Sequence, residues 1–246
     1  MSATAEYPVF TTEMKKTHTI LIPGMLPLHF NLLKSAIQSC GYKAEILQNS
    51  DRDVIETGLR YVNNDICYPA LLVIGQLISA LQSGKYDLQH TALMLSQTGG
   101  GCRASNYIYL LRKALEKAGL GHIPVISLNV NGMQEQPGFK LDLTMLRKFL
   151  AAVIYGDALM YLTNKIRPYE TTKGQTDELA QTWLQKLDAA FKENKAQAIS
   201  TVFNLTSSLA KDFASIPVQA KEKIKVGIVG EIYIKYAGLG NNNLEK

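Results

Sequence analysis

The chain has 246 residues, 46% of them hydrophobic and 19% charged, with a net charge of +5. Such a length buries a substantial core, and such a composition excludes a disordered polymer, a membrane span of ~18 apolar residues and a basic stripe for nucleic acid. Three cysteines without dense spacing point to a reducing compartment, so a cytoplasmic protein is expected.

The first sixteen residues read as an extended arm in which Tyr7, Pro8, Val9 and Phe10 can dock, and they lack the pattern of a signal peptide. THTILIPG (17–24) is short, apolar and closed by Pro23 and Gly24, which predicts a buried strand. HFNLLKSAIQSCG (29–41) has helical spacing, with His29 at its start, Gly41 as its stop and Cys40 on its apolar face. YKAEILQ (42–48) is a second strand. Asp53 is placed to cap a helix from Val54 to about Asn64, and Pro69 opens the next, which runs to about Ser83.

The alternation continues. TALMLSQ (91–97) and PVISLNV (124–130) are strands, and SNYIYLLRKALEKAG (105–119) is a helix capped by Ser105 or Asn106. Strands separated by helices predict an α/β fold, a doubly wound parallel sheet with helices on both faces. From 143 to 166 the apolar spacing is helical. A further helical stretch from Asp177 to Phe213 breaks near Asn194. EKIKVGIVGEIYIKY (222–236) reads as a strand, the first of a second α/β domain that the chain truncates. The expected organisation is an arm (1–16), an α/β domain carrying the cysteine motifs (17–142), a helical region (143–221) and the start of a truncated domain (222–246).

Two turns carry chemistry. In a doubly wound sheet, functional groups gather at the carboxyl ends of the strands, beside helix N-termini. Cys102 follows strand 91–97 and precedes a helix, while Cys67 precedes the helix that feeds that strand. Both are expected at one edge, where the helix-end charge favours thiolates and anions. Gly99, Gly100 and Gly101 allow a concave run of backbone N–H groups suited to phosphate or sulfide. Arg103 can neutralise an anion there or face solvent, and Asn63, Asn64 and Asp65 can cap a helix or orient a ligand. A plain strand-to-helix turn with a buried cysteine explains the same residues, and the spacing from Cys67 to Cys102 is no compact metal motif.

YVNNDICYPALLVIGQLISALQSGKYD, SQTGGGCRASNYIYLLRKAL, IPVISLN and KVGIVGEIYIKYAGLGNNNLE together resemble large activator-type proteins of 2-hydroxyacyl-CoA dehydratases (CoA-substrate-specific enzyme activases). The resemblance is to the dehydratase-subunit-like portion that follows the ATPase domains. It implies a [4Fe-4S] cluster held by three cysteines, with Cys67 and Cys102 matching two of the ligands. It also implies a role in relaying low-potential electrons, while Asn64, Gly99, Gly100, Gly101 and Arg103 stay candidate cofactor contacts on the turn chemistry alone. A third cysteine has no counterpart, and the ATPase signatures are absent. The expected partners are an ATPase activator domain or protein, a dehydratase-like subunit, or a second copy in a homodimer. A non-catalytic scaffold docking such a partner, or a CoA- or phosphate-binding domain, are the other readings.

Overall fold

The computed structural model describes residues 7–63, 65–97, 103–128, 136–219, 221–224 and 226–244, with only the backbone for Arg103. The elements follow in chain order as α1 (Met14–Thr17), β1 (Thr19–Ile22), α2 (Pro27–Gln38), β2 (Lys43–Ile46), α3 (Arg52–Tyr61), α4 (Tyr68–Gln82), β3 (Thr91–Ser96), α5 (Tyr107–Lys117) and β4 (Val125–Leu128). Helices α6 (Leu143–Ile166), α7 (Gln175–Lys192), α8 (Ile199–Ala214), α9 (Ile232–Tyr236) and α10 (Gly238–Asn241) complete the chain. No helix among the described residues is long and apolar enough to cross a membrane.

The four strands form one parallel sheet in the order β2-β1-β3-β4. The chain builds outward from β1 to β2, then returns past β1 to add β3 and β4. This reversal defines a doubly wound α/β sheet, with its topological switch point between β1 and β3. Burial follows position. Central β3 is buried from Thr91 through Leu95, whereas Lys43 on edge strand β2 is exposed. Buried parallel strands therefore read as continuous apolar runs.

The chain divides into two compact units. The first comprises residues 1–25, 42–140 and 230–246 and contains the sheet. Its core joins Leu93 and Leu95 of β3 to Leu72, Ile74, Leu77 and Ile78 of α4 and Leu111 and Leu115 of α5. Helix α4 is buried from Pro69 to Leu81, which explains why YPALLVIGQLISALQ is apolar all round. Helices α3 and α4 approach closely at Gly58 and Gly75, where a Cβ on Gly58 would stand 2.5 Å from Leu71 O. In the N-terminal arm Phe10 is fully buried, its N–H donating to Gln136 Oε1 at 2.8 Å, and Tyr7 lies under Arg112 at 4.5 Å.

The second unit comprises residues 26–41 and 141–229 and is helical. Trp183, Tyr155, Leu159, Phe191 and Phe213 form its centre, with Leu32 and Ala36 of α2. The break between α7 and α8 falls at Asn194, which adopts φ 57°. Lys148 is buried, and its Nζ donates to Ser39 Oγ (2.9 Å), Ser39 O (3.3 Å) and Asn194 Oδ1 (2.7 Å). Those acceptors sit at the ends of α2 and α7, so the ammonium meets two helix C-termini.

Two local expectations are corrected. Among the described residues of 222–236 there is no strand. Ile224, Val226 and Val229 are exposed in irregular backbone, and residues 232–236 are helical, with the Glu231 carboxylate accepting from the N–H groups of Tyr233 and Ile234. Tyr233 and Ala237 then pack into the core of the first unit. Cys40 is not on a helix face either: α2 ends at Gln38, and Cys40 is half-buried in the turn closed by Gly41 at φ 85°.

Candidate functional site at the carboxyl edge

Helix α4 binds the strand ends together from its middle. Gln76 is buried; its Oε1 accepts from Gly24 N at 3.0 Å, just past β1, and its Nε2 donates to Asn49 O at 2.8 Å, past β2. Asn49 returns a bond from Nδ2 to Gln76 O at 3.0 Å. A polar side chain inside an apolar helix is tolerated because its amide is satisfied, and here that satisfaction fixes two loops at the edge.

The end of β3 is tied to α5 in a similar way. Gln97, the first residue beyond β3, accepts from Ile108 N through Oε1 at 3.1 Å. Asn106 stands at the N-cap of α5, as expected, but makes no side-chain cap bond, and Gln97 caps the Ile108 amide. The adjacent Tyr107 then reaches across, and its hydroxyl lies 3.3 Å from Cys67 Sγ. Cys67 is therefore at the carboxyl edge, beside the head of α5 as well as its own helix.

Cys67 is the N-cap of α4, in extended conformation, with its carbonyl accepting from Ala70 N (3.1 Å) and Leu71 N (3.3 Å). Its thiol makes no cap bond and is half-buried, and its sulfur faces the Tyr107 hydroxyl. The unpaired amides at the head of a 15-residue helix favour negative charge there. Nearby, burial first, then the Tyr68 phenol and the Glu231 carboxylate, push the Tyr233 phenol above its ordinary pKa. Its hydroxyl is buried without a partner among the described residues.

Of the residues singled out in the sequence, Cys67 takes its place at this edge. Gly99, Gly100, Gly101, Cys102 and Asn64 lie outside the described residues, and the Arg103 backbone opens a short 3-10 turn over Arg103–Asn106. Asp53 is in the first turn of α3, whose N-cap is Asp51, and its Oδ2 accepts from Ser79 Oγ at 2.8 Å. Sequence reasoning missed Tyr107, Gln97 and Gln76. Gln97 carried a usable signal, a polar residue directly after a buried strand and before a glycine turn. Among the described residues no three His, Cys, Asp or Glu side chains gather as a metal-holding group. No family model, curated protein or solved structure matches the chain.

Proposed function

We propose that the carboxyl edge of the sheet is an iron–sulfur redox site of the 2-hydroxyacyl-CoA dehydratase-subunit type, with Cys67 and Cys102 as two of its ligands. The observation that carries this reading is the Cys67 sulfur, half-buried at a helix head with a phenol 3.3 Å away. That environment fits a cluster ligand: the free amides at the helix head favour a negatively charged group, and a metal-bound sulfur would accept from the Tyr107 hydroxyl. A [4Fe-4S] cluster held there would supply one-electron transfer at low potential. Cys67 binds, Tyr107 orients and polarises the sulfur, Gln76 ties Gly24 and Asn49 to α4, and Gln97 ties the end of β3 to α5. An ATPase-type activator is the expected electron donor.

A phosphate or CoA ligand at the glycine turn is less favoured by the same geometry. Gln97 already occupies the Ile108 amide, one of the donors that an anion at the head of α5 would use. Anaerobic reconstitution with iron and sulfide tests the proposal. An oxygen-labile visible chromophore with matched iron and sulfide supports it. Absence of bound iron, with retained affinity for a partner ATPase, would favour the scaffold reading.

A further inference from the structure

Helix α6 runs for 24 residues and is apolar on two faces. One face, including Met145, Ala152, Tyr155 and Leu159, is buried within the helical unit. The other carries Leu143, Leu146, Leu150, Val153, Ile154 and Tyr161, all between 42% and 62% exposed. Single apolar side chains on a surface need no explanation, but a continuous helical stripe of them marks a contact.

The order of residues along the stripe says what fits it. Leu143, Arg147, Leu150, Ile154, Asp157 and Tyr161 are all exposed, and they succeed one another at alternating steps of four and three. This is the spacing of a two-stranded coiled-coil seam. Laid antiparallel on its own copy about Ala152, the seam sets Leu143 against Tyr161, Arg147 against Asp157, and Leu150 against Ile154 of the second copy. Each of these contacts occurs twice by the two-fold symmetry. Apolar meets apolar, and the two charged positions meet with opposite sign. A parallel pairing would instead set Arg147 on Arg147 and Asp157 on Asp157. Asp157 can make the bridge because its side chain is 65% exposed while Oδ1 meets His29 Nε2 at 2.9 Å.

We propose that α6 is a self-association surface, pairing antiparallel with α6 of a second copy of this chain, with two Arg147–Asp157 bridges setting direction and register. The inference is independent of the redox reading. Sedimentation velocity of the full chain over a dilution series tests it, and a reversible dimer is the expected result. Leu150→Asp should weaken that dimer at least about a hundredfold, since it buries a charge in the seam twice. Arg147→Glu and Asp157→Lys, each setting like charges across the seam, should weaken it about tenfold, and combining them should restore it. Melting curves of each variant keep folding apart from association. If Asp157→Lys lowers the melting temperature, Leu150→Asp and Arg147→Glu carry the test alone. A chain that stays monomeric, a dimer indifferent to Leu150→Asp, or a well-folded double variant no tighter than its singles would overturn the proposal.

Discussion

The Cys67 sulfur and the Tyr107 hydroxyl lie 3.3 Å apart, joining the heads of two helices from residues 40 positions apart in the chain. If Cys67 ligates iron, the phenol donates to a metal-bound thiolate, and such a bond raises the reduction potential of the site. Tyr107→Phe removes that donor and keeps the ring. The expected outcome of a spectroelectrochemical titration is a lower potential at unchanged iron content. Loss of iron together with loss of folded structure would show that Tyr107 is mainly a packing residue.

The Gly58–Gly75 crossing lets α3 lie directly on α4. A Cβ at Gly75 would run into Val54 O and into Gly58 itself, all backbone that cannot swing away. Gly75→Val should therefore force the helices apart and cost about 1–3 kcal/mol or more. Urea unfolding followed by far-ultraviolet circular dichroism checks this. A variant as stable as the wild type would mean that the helices cross with more room.

The strands were legible because buried parallel strands are short apolar runs closed by turn residues, as in TILIPG. Most helices were legible from their spacing, and α6 begins and ends where its periodicity does. The segment 222–236 was misread for a physical reason. VGIVGEIYI has strand composition, but a strand exists only where an edge accepts it. Here the Glu231 carboxylate caps a helix turn instead, and Tyr233 is drawn into the core. At the site, the two cysteine turns stood out by composition. The Tyr107 contact did not, because nothing in SNYIY tells which helix residue reaches a sulfur 40 positions away.

Lys148 is buried with three oxygen acceptors at the C-terminal ends of two helices. Lys148→Met keeps the bulk but leaves Asn194 Oδ1 and the Ser39 groups without their donor. The expected loss is about 1–3 kcal/mol. Trp183 is the only tryptophan in the sequence and is buried in the same unit, so its fluorescence reports the transition directly. An unshifted urea midpoint would contradict this account of Lys148.

Burial first, then nearby His90, hold the His18 imidazole below its ordinary pKa, with Asp87 partly opposing. The unfolded chain takes up a proton near about pH 6.5, while the folded chain resists it until lower pH. The stability linked to His18 is thus complete above about pH 6.5 and falls as the pH drops toward the folded value. Melting temperatures measured from about pH 7.5 to 5.5 should decline, and His18→Asn should flatten the decline. An identical slope in the variant would assign the pH dependence elsewhere.

The most direct test of the redox site is iron and sulfide content after anaerobic reconstitution, compared among wild type, Cys67→Ser, Cys102→Ser and Cys40→Ser. Cys67→Ser and Cys102→Ser are expected to lose or destabilise the chromophore. Cys40→Ser, half-buried in a turn of the other unit, should retain it at a small cost in stability. Equal iron in wild type, Cys67→Ser and Cys102→Ser would contradict the assignment of the carboxyl edge as an iron–sulfur site.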